Sequence, residues 1–475
     1  AAAPVPLPGV NFIPASIIAI STAPVSDAGT IPLLIHDSGI SSSQGTAPSA
    51  GIAASIKEVD STAHRDDTIS RGGETVDRSV AARICGEAVG TIVELERWGL
   101  VLRRSSDGLP FTSSASGHGQ PRLTGCGDST NSSVTKILEE QAIKRNITRR
   151  NDLLPLSLVL DNNQIRGLTI LNVANGEVSV IQSKSIILAT DGYQGLWSNV
   201  ANGAGLGNSL AINAGISLRG MGNIAYNSMK VTGTDLHLPI ESIGSGGQIC
   251  KESGEGTNVE AVLEGESCVI DFRNIDTSSE VWFAQTARRI QDRTGLNIST
   301  DVVPISGAIS ATTGGAPVDE NGRVTFDNGE MWITGLYAAG RSANTGFHGD
   351  GILAGNVLLE DLVSGAAAGA HAGAGADSVQ FGGGDILSNE LSASDDKVSN
   401  FFENSGISVS EFSSKLSSIV KNMNGNAQKT LSELSNLKAT NVQLTDNSKV
   451  MNTELVSALK LDGLVAIAES IAESK

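Results

Sequence analysis

His348 and Gly349 sit in a loop between a strand-like run at 333–339 and a long Ala/Leu/Val/Gly stretch that continues to Gly369. Gly340 marks the turn out of the strand. A strand, a loop and a buried helix in this order point the helix N-terminus into the loop. Exposed backbone N–H groups there suit an anionic or electron-rich group. His348 either orients such a ligand or is a satisfied loop residue, and the sequence leaves both open. Arg122, Arg273 and Arg341 are the other candidates for polar contact, because a guanidinium fork matches a carboxylate. Gly192, Gly314, Gly315, Gly340 and Gly355-Asn356 either bring backbone close to a ligand or keep turns that the chain needs regardless. There is no Walker loop, no serine nucleophile elbow and no metal-spaced His/Glu cluster, so no metal is expected.

The elements that must position these residues are legible in part. Residues 15–21 read as a helix and 31–35 as a strand, together a candidate βαβ unit. Residues 76–100 form an amphipathic helix with Val80, Ile84, Ala88, Ile92 and Leu95 on one face, ended at Trp98-Gly99. The cap-rich cluster Asp128-Ser129-Thr130-Asn131 is expected to open a helix over 132–146. Strands at 157–160 and 167–173 pair as a hairpin across Asp161-Asn162-Asn163, with 178–181 as an extension. The run at 185–190, SIILAT, is apolar throughout, as in a strand covered on both faces. Residues 206–303 change texture, with Gly/Ser clusters, and read as an insertion. Residues 371–384 read as a Gly/Ala linker. Beyond it come helices that include 409–423 and 453–470, the last with Asn452 as its cap and Glu454 in its first turn.

The 475 residues are enough for two or three domains with a large core. Charged residues are 18% and hydrophobic residues 40%, which fits a folded chain. A net charge of -18 excludes a nucleic-acid stripe and a polybasic membrane anchor. The four cysteines, Cys85, Cys126, Cys250 and Cys268, form no C-x-x-C pair. They are expected as free thiols in a reducing compartment rather than metal ligands. No apolar run reaches the roughly 18–20 residues of a membrane span. The Ala-Ala-Ala-Pro start suggests a processed or trimmed chain.

A series of motifs in order resembles the flavoprotein subunits of succinate dehydrogenase and fumarate reductase. Arg65-Asp66-Asp67-Thr68 with Gly72-Gly73 is similar to an early family motif. Gly117-His118-Gly119-Gln120-Pro121-Arg122 with Asp128-Ser129-Thr130 resembles the Gly-Gly-Gln-Ala-Arg region. SIILATDGY resembles Leu-Ala-Thr-Gly-Gly-Tyr. Val269-Ile270-Asp271-Phe272-Arg273 resembles Leu-Asp-Leu-Arg, and Thr313-Gly314-Gly315 resembles Met-Gly-Gly. The stretch from Val450 to Leu461 is close to Trp-Asn-Thr-Asp-Leu-Val-Glu-Thr-Leu-Glu-Leu, which favours succinate dehydrogenase over the related L-aspartate oxidases. The resemblance implies an α/β fold: a FAD-binding Rossmann-like domain (1–205 and 304–375), an inserted α+β capping domain (206–303) and a C-terminal helical domain (385–475).

It also implies hydride exchange between a flavin and a dicarboxylate, with an arginine proton relay. At those positions this chain departs. In the family the loop reads His-Gly-Ala-Asn-Arg-Leu-Gly; here the substrate arginine falls on Ile352. The relay arginine falls near Gly244, after the matching Glu241. The substrate histidine falls near Asn227, and another histidine on Ser310. His348 is kept, and Arg273 is the remaining candidate catalytic cation. For the cofactor, the Gly-x-Gly-x-x-Gly loop falls on Pro8-Gly9-Val10-Asn11-Phe12-Ile13. Val10 and Ile13 would occupy the phosphate's space there. Gly9 and Asp37 remain as candidate contacts. The flavin-linked histidine falls on Gln44, so FAD is expected to be non-covalent if held at all. Arg341 reverses the family's glutamate. The first reading is therefore a degenerate flavoprotein-like subunit of a complex II-type assembly, with iron–sulfur and membrane-anchor partners. It would lie peripherally at the matrix side of the mitochondrial inner membrane or the cytoplasmic face of a prokaryotic one. The alternative is an active FAD-dependent oxidoreductase with relocated substrate residues; a stand-alone binding protein is a third.

Overall fold

A computed structural model describes residues 16–20, 32–35, 50–198, 200, 203–222, 224–225, 228–275, 281–403, 405–423 and 426–474. Its centre is a nine-stranded mixed sheet. The main path runs Thr148–Arg150, Pro32–Ile35, Ser16–Ile20, Ser185–Ala189, Met331–Ala338, Gln164–Asn172 and Leu153–Asp161. Ser185–Ala189 is buried at every residue. It lies parallel to Met331–Ala338, with Leu336 opposite Ile186, and antiparallel to Ser16–Ile20. The two-residue period of a strand divides it between two cores. Ile187 and Ala189 join the helices Arg78–Arg97 and Asn356–Gly375 on one face. Ile186 and Leu188 pack with Leu210 and Ala211 on the other. That two-sided cover is why the SIILA run carries no polar alternation.

The hairpin Leu153–Asp161/Gln164–Asn172 turns on Asn162 and Asn163, with φ of 51° and 58°. Asparagine tolerates this left-handed backbone, and such a turn matches strand twist. Leu154, Leu156 and Leu171 of this hairpin enter a third core with the C-terminal helices. These are Gly384–Glu403, Val409–Lys421, Ala427–Lys438 and Thr453–Glu473. Asn452 caps the last, accepting from the Leu455 N–H at 2.8 Å.

Between these parts the chain forms a separate five-stranded antiparallel sheet. Its order is His237–Leu238, Ser228–Val231, Val303–Ala308, Cys268–Asp271, Gln248–Lys251. Its own core includes Met229, Ile270, Ile290 and Val303. The first and last parts of the segment pair with each other, Ser228 opposite Ala308, so the insertion leaves and re-enters at one place.

Three local expectations are corrected. Residues 15–21 were expected as a helix, but Ser16–Ile20 is a strand. Its isoleucines are β-branched, and pairing on both edges overrides the apolar run's ambiguity. Residues 371–384 are not a linker throughout: the helix Asn356–Gly375 continues through the Ala-rich part, where helix propensity is highest. The cluster at 128–131 does not cap its own helix, Thr130–Lys144, which has no side-chain cap. Asp128 instead accepts from the Thr286 N–H at 2.6 Å, in the first turn of the inserted segment's helix Ala284–Thr294. Among the described residues no helix is long and apolar enough to cross a membrane.

Candidate functional site

The loop after Met331–Ala338 is held by close backbone packing. Gly349 has φ +53°, and a Cβ there would overlap the Gly72 carbonyl. The Asp350 N–H donates to that same carbonyl at 2.8 Å. His348 is thereby buried. Its Nε2 lies 2.8 Å from Glu360 on the following helix, and the other Glu360 oxygen accepts from the Thr345 hydroxyl. The carboxylate fixes Nε2 as a protonated nitrogen. Nδ1 is buried with no hydrogen-bond partner among the described residues.

Arg341 is buried between Asp191, at 2.6 Å, and Asp361, at 3.1 Å. Burial opposes its charge, but the two carboxylates more than offset this and its pKa rises. Asp361 moves the other way for an acid: burial pushes it up to about 6 against the pull of Arg341. The two shifts look inconsistent for one ion pair. They agree once Asp191 and Glu360 are counted, since two carboxylates share one guanidinium and the deeper one bears the repulsion. Arg341 Nε has no partner among the described residues.

Arg341, His348 and Glu360 line a cavity of about 330 Å³. Thr312, Thr313 and Gly314 form the facing wall, and Asp350, His348 and Glu360 line it from the loop and helix. Under the loop lies a second network. Arg122, 1% exposed, donates to Glu58 at 2.8 Å and pairs with Asp67. It also donates to His118 Nδ1 at 3.2 Å, while His118 Nε2 donates to the Ala354 carbonyl at 2.8 Å. His64 bonds Asn356 at 2.8 Å, and Asn356 donates to Thr68 at 2.9 Å. Burial holds His64 down at about 4, so it is neutral. Asn356 thus spends its side chain inside the protein.

Arg273 is not brought to this site. It is half exposed and clasped by Asp271, through Nε at 3.0 Å and Nη2 at 2.8 Å. Gly244 closes the short helix Glu241–Gly244. Ile352 carries no charge, and its carbonyl accepts from Arg71 Nε at 3.3 Å. Gly192, Gly314, Gly315 and Gly340 all have protein atoms where a Cβ would stand: Thr312, Gly220, Ser342 and Asp361 respectively. The fold's own packing accounts for these glycines. Gly9, Val10, Ile13, Asp37, Gln44 and Asn227 lie outside the described residues.

The comparisons agree with this architecture. The FAD binding domain family model matches residues 34–358, and the fumarate reductase flavoprotein C-terminal model matches 420–475. The chain belongs to the succinate dehydrogenase/fumarate reductase flavoprotein family. It is 24% identical to the fumarate reductase flavoprotein subunit of Haemophilus influenzae, over 90% of this chain and 80% of that one. It is 28% identical to the L-aspartate oxidase of Mycobacterium leprae, over 66% of this chain and 64% of that one. A variant of the E. coli quinol fumarate reductase FrdA superposes with a TM-score of 0.83 at 21% identity, covering 93% of this chain and 84% of that one.

Membership in this flavoprotein family makes FAD the cofactor to test against the cavity. Its ring carries acceptors and a donor on a flat body. Arg341 and His348 line the cavity beside Gly314 and Gly340, a polar wall that suits that end of the cofactor, while Arg341 Nε and His348 Nδ1 themselves are closed off from it. One residue was noted in the sequence but not chosen as a site. Glu241 is 3% exposed, and burial pushes it up to about 7. One of its oxygens has no partner among the described residues. A glutamate beside Ser/Ile/Gly gave no sign of this burial.

Proposed function

We propose that this chain is a flavoprotein-type subunit of a complex II-type assembly that keeps the family scaffold and does not turn over a dicarboxylate. One observation carries the reading. Arg341 is the only arginine among the described residues that line the cavity, and it is already committed to Asp191 and Asp361. The residues outside the description hold no arginine, and Lys475 is their one lysine. A dicarboxylate needs cationic donors at both ends, and burying it unpaired would cost several kcal/mol per charge. FAD, which supplies a hydride acceptor when bound, would be held non-covalently, with Arg341 and His348 towards its ring. The proposed units are 1–205 with 304–375, 206–303 and 385–475. The proposed partners are iron–sulfur and membrane-anchor subunits, with the chain peripheral to the mitochondrial inner membrane on the matrix side or to a prokaryotic membrane on the cytoplasmic face.

The second reading is an active oxidoreductase with altered substrate residues, and Glu241 favours it. A buried carboxyl near pKa 7 with an unpaired oxygen has the proton affinity for transfer at neutral pH, although it does not line the cavity. Visible spectra of the purified chain separate the two. The first reading expects no change in any flavin band on adding succinate. Succinate-dependent bleaching would overturn it.

A further inference from the structure

The chain between Asp350 and Val357 has both ends on the cavity wall, and what lies between them is gripped from behind. The carbonyls of Ile352, Ala354 and Gly355 accept from Arg71 Nε at 3.3 Å, His118 Nε2 at 2.8 Å and the Ala53 N–H at 3.2 Å. Of these donors, His118 is itself fixed at its other ring nitrogen, 3.2 Å from Arg122 Nη1. An arginine cannot accept and a carbonyl cannot donate, so Nδ1 accepts and Nε2 carries the proton. No ring nitrogen is left for a ligand. Burial first, and Arg122 with it, hold the pKa of His118 below the ordinary value against the pull of Ala354, Asp67 and Glu58. Arg122 behind it is 1% exposed and clasped by Glu58 and Asp67. Asp67 also accepts from the Gly119 N–H at 2.7 Å, and the Arg122 carbonyl accepts from the Ala54 N–H at 3.1 Å. A half-buried ring between two exposed glycines, Gly117 and Gly119, is thereby given one fixed place.

We infer that His118 is a positioning residue: through Ala354 it ties the wall between Asp350 and Val357 to the buried Arg122 and keeps that wall in the shape that receives the flavin ring. His118 does not line the cavity itself, so it acts only through the backbone it holds. This rests on the reading that FAD is the cavity's cofactor.

Two variants of the purified full chain test it. His118→Leu fills much of the space and supplies neither hydrogen bond, whereas His118→Gln supplies a donor and an acceptor. Each is compared with the parent for FAD affinity by quenching of flavin fluorescence, for amide hydrogen exchange and for thermal unfolding. His118→Leu is expected to weaken FAD about tenfold, the scale of one buried hydrogen bond, and to speed exchange from Leu353 to Leu358. His118→Gln should recover most of both. A purely structural histidine would instead lower the unfolding temperature in both variants and leave FAD affinity unchanged. That result, or equal weakening of FAD by the two variants, overturns the inference. If the parent binds no FAD, the cofactor reading fails by itself and exchange alone decides. Faster exchange confined to 353–358 in His118→Leu then keeps His118 as the residue that holds the wall, and unchanged exchange overturns it.

Discussion

Arg341 holds together two largely buried carboxylates, so its removal is informative. Arg341→Met leaves Asp191 and Asp361 buried without a counter-charge, and we expect a loss of about 3–5 kcal/mol in urea unfolding. Adding Asp361→Asn should recover part of it. The sequence singled out Arg341 as a candidate for polar contact. Its partners were not legible there, because one lies far upstream in the chain and neither spacing is that of a single element. Glu241 gives a second test. Its folded pKa, about 7, is above the ordinary 4.5, so the folded state holds the proton more tightly across that window. Stability therefore falls as pH rises from about 4.5 to 7. Glu241→Gln should remove that slope, gaining on the parent by about 3 kcal/mol above pH 7. His64 works in the opposite direction: held down at about 4, it adds stability as pH rises towards 6.5. The difference between variant and parent isolates the Glu241 part.

At the scale of elements, hydrogen bonds from single residues fasten the inserted segment to the main body. Asp128 caps the first turn of Ala284–Thr294, and Trp282 donates from its indole to the Ala50 carbonyl at 2.8 Å. Gly127, at φ +71°, lies so close to the Trp282 carbonyl that a Cβ would overlap it. Gly127→Ala should therefore loosen the segment without unfolding the central sheet. Hydrogen exchange would show it as faster exchange confined to the strands between Ser228 and Ala308. Asp128→Ala is a milder version, about 1 kcal/mol. The sequence located the buried strand Ser185–Ala189 and the Asn-Asn hairpin because local pattern sufficed for both. It misread Ser16–Ile20, whose state is set by pairing with strands elsewhere in the chain, such as Ala189 opposite Ser16. It likewise gave Asp128 to the wrong helix, since a cap-type residue does not declare which N-terminus it serves.

Over the whole molecule, the C-terminal helices share a core with the sheet rather than standing apart. Leu154 and Leu171 of the hairpin pack in one cluster with Leu416, Leu434, Leu464 and Ile471. A chain ending at Gly383 would expose that face of the hairpin. We expect it to be insoluble on expression, whereas removal of Ala472 to Lys475 should be tolerated far better. Sedimentation of the expressed chains checks this.

The Arg341 cluster also limits where this chain can go by single substitutions. A glutamate at position 341 would place a third carboxylate against the largely buried Asp191 and Asp361. Losing either aspartate alone alters the balance around a guanidinium that is already buried. The three residues are epistatically locked, and each makes reversal of the others unfavourable. The arrangement acts as a ratchet: putting an acid at position 341 would have to pass through a less stable intermediate or change several positions together.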